Sequence, residues 1–343
     1  MRFAEPRDTD KSAEMVLHAL KKGITYFDTA PGYCDDQSEI ILGTAVPEMK
    51  KTGLPFTLSS KSMKKDGSEV RKQLETTLTR LNTDCLDFYN CWYVLTPEDW
   101  AARKARGAVA EILKAREEGL IRHAVFSTHL PGEEIRKVIE EGYFEGVTLG
   151  YSVLNFPHRE EGIASARENG LGVVVMNPLG GGMITSSPEL FDFVRIRPDQ
   201  SILEGALHFL FSDPRITVSL VGFRNTADID SAVAAVDSFV PYREEQIRLI
   251  RERLTGGMNS LCTSCRYCRD CPAEIPVWAF AEAANHLLLG SKDSPEGRLK
   301  NYWGVDPSLV DQCTRCGYCE SVCTQKLPIM ERFDLIRKGL NDQ

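Results

Sequence analysis

Nowhere in the 343 residues does an apolar run approach the roughly 18 that a helix needs to cross a bilayer, so a helical membrane protein is excluded. The sequence also lacks a stripe of Lys and Arg. Asp and Glu outnumber them 49 to 41, giving a formal net charge of −8, and no nucleic-acid partner is expected. The opening segment MRFAEPRDTDKSAEM has no apolar core of the kind a secretory signal needs. The chain is therefore expected to stay in a reducing, cytoplasmic compartment and to form no disulfides. What remains is an ordinary composition for a protein in water, 42% hydrophobic and 26% charged. The length suits one large barrel with an appendage, or two average domains.

Cysteine is where the sequence departs from average. Eight of the eleven cysteines fall in two runs, Cys262-x2-Cys265-x2-Cys268-x2-Cys271-Pro272 and Cys313-x2-Cys316-x2-Cys319-x3-Cys323. A cubane cluster needs four thiolates converging on one small inorganic core. Close Cys-x2-Cys repeats let a tight loop turn three sulfurs inward while a fourth arrives from elsewhere. Two quartets therefore point to two [4Fe-4S] clusters. Zinc is the competing reading, but four-cysteine zinc sites usually come as two doublets across a longer loop, whereas each run here is an unbroken quartet. Between the runs, residues 277–290 (VWAFAEAANHLLLG) read as a helix with Trp278, Ala281 and Ala284 on one face. The whole segment resembles the helical two-cluster ferredoxin modules of heterodisulfide reductase subunits and of respiratory iron-sulfur subunits. That resemblance implies crossed ligation, with Cys323 joining Cys262, Cys265 and Cys268, and Cys271 joining Cys313, Cys316 and Cys319. Cys34, Cys85 and Cys91 stand apart and read as small buried hydrophobes.

Upstream, seven short apolar runs alternate with helical patterns: Ile24–Phe27, Phe56–Leu58, Leu86–Tyr89, Ala124–Phe126, Val147–Leu149, Gly172–Met176 and Thr217–Val221. Helical length and spacing occur at Ser12–Lys22, Glu69–Leu81, Ala101–Glu118, Glu133–Glu141, Glu160–Asn169 and Ile202–Ser212. This is the pattern of repeated βα units around a parallel sheet, and one further strand would make a (β/α)8 TIM barrel. The barrel is expected over residues 1–255 and a small α-helical ferredoxin-like domain over 256–343.

GITYFDTAPGY, with Asp28 and Tyr33 at the end of the first strand, resembles the aldo-keto reductase signature. Lys61 after PFTLSS, the strand LDFYNCW, Ser127-Thr128-His129, GLGVVVMNPLGGGM and LVGFRNTADID follow in order, so the resemblance covers most of residues 1–240. With the cysteine tail, the chain is similar to the branch of aldo-keto reductases that carry a C-terminal iron-sulfur domain. In that branch the first strand ends in Met-Arg followed by an aromatic or aliphatic residue. Met1-Arg2-Phe3 stands at the start here, so the first strand is expected to be truncated or to lie upstream.

The resemblance implies carbonyl reduction by hydride from NADPH, with Tyr33 as the proton donor. A free Tyr, with a pKa near 10, donates poorly at neutral pH, and Lys61 and Asp28 would lower and position it. The bland alternatives are a helix cap for Asp28, a packed loop aromatic for Tyr33 and a solvated charge for Lys61. Where the family has a His that binds the carbonyl oxygen, this chain has Trp92, which offers one N–H donor and no acceptor. His129 is a substitute donor by position, or a surface or structural residue. Around the nicotinamide the resemblance assigns Ser127, Thr128 and Thr148, with Met176 in place of a stacking Tyr. On the phosphate side it assigns Gly180 and Gly182, with Gly222, Arg224 and Asn225 before a helix start that favours anions. Arg224 would meet a 2′-phosphate, or it is a surface arginine.

The expected function is an oxidoreductase acting on a small carbonyl or related molecule, with a redox partner protein as a further expectation. Clusters move single electrons and a nicotinamide delivers two, so a flavin stays open as converter although no flavin motif is present. Two alternatives stand beside it: an electron-transfer protein with a degenerate barrel, and a lyase or isomerase using Tyr33 and Lys61 as an acid–base pair.

Overall fold

The computed structural model describes residues 3, 5–154, 156–254, 261–290 and 294–341. Met1, Arg2 and the expected domain boundary at 255/256 lie outside the described residues. The chain divides into two compact units. One comprises Met1–Tyr151, His158–Pro178 and Leu207–Tyr242; the other comprises Ser152–Pro157, Leu179–Ala206 and Arg243–Gln343.

All seven expected strands form in the first unit: β1 (Tyr26–Asp28), β2 (Thr57–Ser62), β3 (Leu86–Val94), β4 (Ile121–Thr128), β5 (Gly146–Gly150), β6 (Gly172–Met176) and β7 (Val218–Leu220). They pair in parallel and in sequence order, β1 through β7, as a nearly closed barrel whose edges among the described residues are β1 and β7. Phe3 is buried but lies in no strand.

Helices α1 (Thr9–Lys21), α2 (Ser38–Lys51), α3 (Gly67–Arg80), α4 (Pro97–Ala105), α5 (Ala108–Glu117), α6 (Gly132–Glu140) and α7 (Glu160–Glu168) fill the connections. The single helix expected over 101–118 is two, because Gly107 sits at φ 87 and breaks the turn between them. Helix α2 has no counterpart among the expected segments: Pro47 inside it interrupts the periodic pattern. Gly43 on α2 is a close-approach position, since a Cβ there would fall 1.8 Å from the carbonyl oxygen of Arg80.

The second unit contains the helices Glu244–Leu254, Val277–Leu288 and Ile329–Asn341. The latter two pack Val277, Phe280, Ala281 and Ala284 against Ile329, Phe333 and Ile336, and Cys262, Cys268 and Cys323 are buried in the same core.

Candidate active site

Three strand ends and one loop build the polar centre of the first unit. Asp28 ends β1 and pairs in register with Ser59 of β2, while Lys61, two residues further along β2, pairs with Asn90 of β3. Side chains two apart on a strand share a face, so Ser59 and Lys61 project together, as do Asn90 and Trp92. Lys61 Nζ meets Asp28 Oδ2 at 2.6 Å, with the Lys61 side chain 3% and the Asp28 side chain 12% exposed. Lys61 also hydrogen-bonds Tyr33, and its Nζ lies 5.2 Å from the Tyr33 ring centroid. Burial pushes the ammonium down, but Asp28 and then Tyr33 outweigh it and hold its pKa above the usual 10.5. The solvated-charge alternative for Lys61 is thereby overturned.

Tyr33 is half-buried at the head of an unusual loop. Cys34, Asp35 and Asp36 are all in the left-handed region, at φ 55, 55 and 64. Successive non-glycine residues there cost free energy. The Asp36 carboxylate holds the loop by a two-pronged pair with the Arg80 guanidinium at 2.9 and 2.7 Å, and by accepting from Gly32 N–H at 2.8 Å. The Arg80 bond, above all, holds the Asp36 carboxyl below its usual range. Arg80 was not legible as part of this arrangement, because it lies on α3, remote from the loop in sequence. Trp92 is 6% exposed and stands edge-on to Tyr33, ring centroids 5.6 Å apart at 86°. Lys61 Nζ is 5.9 Å from the Trp92 ring centroid, so the two aromatics flank one ammonium.

A chain of hydrogen bonds runs inward from Asp28. Ser59 Oγ donates to Asp28 Oδ1 at 3.0 Å, Asn90 Nδ2 donates to Ser59 Oγ at 3.2 Å, and Thr148 Oγ1 donates to Asn90 Oδ1 at 3.0 Å. Ser59 and Asn90 are functional neighbours that sequence reasoning missed; the one available signal was Asn90, a polar residue two positions before Trp92 in the strand. Of the residues assigned to the nicotinamide, Thr148 thus spends its hydroxyl hydrogen on Asn90. Thr128 spends its own on the Val94 carbonyl at 2.9 Å and accepts from Leu130 N–H at 3.0 Å. Each hydroxyl keeps acceptor capacity for a carboxamide N–H. Ser127 is buried on β4, and Met176 ends β6 half-buried. His129 is 7% exposed, and burial followed by the nearby Arg159 pushes its pKa down to about 3, so it is neutral near pH 7.

The phosphate-side residues divide between the units. Asn225 caps the helix Thr226–Asp237 by accepting from Asp228 N–H at 2.9 Å. Arg224 projects with its side chain 71% exposed and only a 3.9 Å ion pair to Asp228. Gly180, Gly181 and Gly182 belong to the second unit, all at positive φ. The close approach they permit within that unit is to the first cysteine run: a Cβ on Gly181 would lie 2.7 Å from Ser264 Cβ and 3.0 Å from the Thr263 carbonyl oxygen.

The two cysteine runs share one backbone trace. Ser264 and Arg315, each two residues after the first cysteine of its run, sit at φ 50 and 55; Arg266 and Gly317 sit at 65 and 77. Glu274 and Lys326, each three residues after the fourth cysteine, sit at 55 and 52, and each run then enters a long helix behind a Pro. In both runs the backbone N–H two residues on donates to the first sulfur, Ser264 to Cys262 Sγ and Arg315 to Cys313 Sγ, at 3.4 Å. Leu327 N–H likewise donates to Cys323 Sγ at 3.4 Å. Cys271, Cys313, Cys316 and Cys319 line one cleft. Cys268 lies close enough to Cys265 and Cys323 that, after burial itself, they push its thiol up to about 12. Among the described residues no three Cys, His, Asp or Glu side chains are gathered at metal-holding spacing. The N–H groups aimed at the sulfurs of Cys262, Cys313 and Cys323 would favour thiolates there.

No helix among the described residues is long and apolar enough to cross a membrane. The chain is 27% identical over 192 residues to an NADH-specific methylglyoxal reductase of Escherichia coli (strain K12), covering 51% of this chain and 58% of that protein. It is 29% identical over 189 residues to a Glycine max protein named "Probable aldo-keto reductase 1", covering 52% and 53%. The chain thus spans about half the length of the curated relatives it matches. Among solved structures it is similar to an aldo-keto reductase from Bacillus halodurans. The TM-score is 0.61 with the holo form at 22% identity, covering 72% of this chain and 87% of that one. The apo form gives a TM-score of 0.60 at 21% identity, with the same coverage. A profile of the Aldo/keto reductase family matches residues 1–254, and the chain belongs to that family.

Proposed function

We propose that the chain is an iron-sulfur-containing aldo-keto reductase-like oxidoreductase of a reducing, cytoplasmic compartment, acting on a small carbonyl or related organic substrate. The observation that carries this reading is the buried Asp28–Lys61 pair at 2.6 Å with Tyr33 hydrogen-bonded to the same ammonium. In this arrangement Tyr33 holds the proton that a forming alkoxide takes. The Lys61 ammonium stabilises the phenolate left behind, and Asp28 keeps that ammonium in place. Trp92, standing where a donor to the carbonyl oxygen is expected, offers its one indole N–H and shapes the pocket with its ring. Ser127, Thr128 and Thr148 would face the carboxamide of NADPH, with Met176 against the ring and Gly222, Arg224 and Asn225 toward the phosphates. When bound, that cofactor supplies the hydride.

Residues 256–343 read as an α-helical ferredoxin-like module with two [4Fe-4S] clusters, one on Cys262, Cys265, Cys268 and Cys323 and one on Cys271, Cys313, Cys316 and Cys319. The clusters supply one-electron transfer, and a redox partner protein would receive or deliver those electrons. The deciding experiment is an anaerobic titration of iron-reconstituted protein with NADPH and NADH, following nucleotide fluorescence, the broad cluster absorbance and the paramagnetic signal of reduced clusters. Binding together with bleaching supports a single oxidoreductase; absence of nucleotide binding sinks the reductase reading. A second reading, an electron-transfer protein with a degenerate barrel, draws on one observation, that the Trp92 ring occupies the space beside Tyr33. A Trp92→His variant that gains NADPH-linked carbonyl reduction would count against it.

A further inference from the structure

Asn285, on the helix Val277–Leu288, is fully enclosed at 0% exposure, yet it belongs to neither thiol set and lies in a run of Ala and Leu. Its Oδ1 accepts from the Cys262 N–H at 2.8 Å and its Nδ2 donates to the Cys262 carbonyl at 2.9 Å. One side-chain amide therefore pairs with both backbone groups of one cysteine, as a neighbouring strand would. Buried backbone groups demand such partners, so the pairing fixes where the Cys262 backbone sits. Nδ2 also lies 3.1 Å from Met183 Sδ. On the same loop Gly181 allows the backbone to press against Thr263 and Ser264, and Ser264 N–H turns toward Cys262 Sγ.

The second run lacks this device. In the shared backbone trace, Cys271 and Cys323 are 52 positions apart, and the same step from Asn285 leads to Arg337. Arg337 instead pairs with Asp311 and Asp334, and its Nη2 donates to the Val310 carbonyl at 2.6 Å, ahead of Cys313 rather than on it. Burial follows the same division: Cys262, Cys268 and Cys323 are buried, whereas Cys316 is exposed.

We propose that Asn285 is a positioning residue that presets the Cys262 loop, so that the Cys262/Cys265/Cys268/Cys323 site is the preorganised one of the two. The inference rests on the iron-sulfur reading given above. Neighbours that orient ligands typically change metal affinity roughly 10- to 100-fold when removed.

The test uses the full chain reconstituted anaerobically with ferrous iron and sulfide. Asn285→Ala is expected to lose about half its iron and sulfide, together with one of two paramagnetic signals after reduction, the other being unchanged. Asn285→Asp keeps the acceptor for Cys262 N–H but loses the donor, and is expected to retain both clusters with the midpoint potential of one shifted. Met183→Leu removes only the outer contact and is expected to match wild type. An Asn285→Ala protein with full iron and both signals intact overturns the proposal. Should that variant not fold, unchanged iron and potentials in Asn285→Asp overturn it instead. A wild-type chain that takes up no iron sinks the cluster reading itself and this inference with it, whereas a fully loaded wild type beside an unaltered Asn285→Ala sinks this inference alone.

Discussion

The barrel centre and the cysteine unit assemble their polar groups in opposite ways. Asp28, Lys61 and Trp92 come from three different strands and meet because parallel register carries each to the same end of the sheet. The eight thiols come from two short runs in which left-handed residues such as Ser264 and Arg315 bend the chain locally around the sulfurs. In the barrel a side chain owes its place to distant partners, so removing one leaves another buried and uncompensated. In the cysteine unit the loop itself does the placing, so removing one thiol leaves the backbone that positions the others in place.

Lys61→Met should expose the difference most strongly. Asp28 would stay nearly buried without its counter-ion, and breaking a buried pair costs about 3–5 kcal/mol, readable as a lowered midpoint in urea or heat. The effect has a pH signature. Because the folded pKa of Lys61 is raised, the pair's stabilisation is present below the unfolded value of 10.5 and is lost as pH climbs through the folded value. A loss under 1 kcal/mol would place the pair with surface ion pairs and break the contrast. Tyr33→Phe keeps the Asp28–Lys61 pair, so stability should hold while nucleotide-linked carbonyl turnover falls by about 10²- to 10⁴-fold. Turnover that survives would remove Tyr33 as the acid.

On the cysteine side, Cys262→Ser and Cys316→Ser should each lower iron content, but unequally in stability. Cys262 sits in the core and Cys316 is exposed. The first should melt lower by the larger margin, and equal melting curves would show that burial does not distinguish the two sites. A smaller effect returns to the barrel. His129 is held neutral with its pKa near 3 against 6.5 in the unfolded chain, so the unfolded state takes up the proton first. Stability should therefore fall as pH drops from 6.5 toward 3, by about 1–1.5 kcal/mol already at pH 5.5. His129→Gln should flatten that slope when melting is followed at several pH values.

What was legible in the sequence follows the same division. All seven strands stood out because short apolar runs between helical patterns carry their own signal, and Lys61 and Asp28, which a family resemblance drew together, lie 2.6 Å apart. Helix α2 was hidden by Pro47, and the break at Gly107 by helix formers on both sides. Ser59 and Arg80 were invisible for another reason: their partners are fixed by register and helix packing, which no local pattern records. Gly180 and Gly182 are assigned to the phosphates on the strength of a residue that signals only that something comes close. Within its own unit, what comes close to Gly181 is the loop of Thr263 and Ser264.

Arg224 carries the smallest prediction and sharpens the barrel half of the comparison. Its side chain is 71% exposed, with a 3.9 Å pair to Asp228, so truncation should leave melting unchanged. If the guanidinium meets a 2′-phosphate, Arg224→Ala should weaken NADPH binding about fivefold and leave NADH untouched, as read by nucleotide fluorescence. An equal loss for both nucleotides would instead mean that it serves the shared pyrophosphate. No change for either would make it a surface arginine, leaving the capped start of the helix Thr226–Asp237 to meet the phosphates through backbone N–H groups alone. That last outcome would bring the barrel's anion site closer to the cysteine unit in its logic, with local backbone rather than a remote side chain doing the holding.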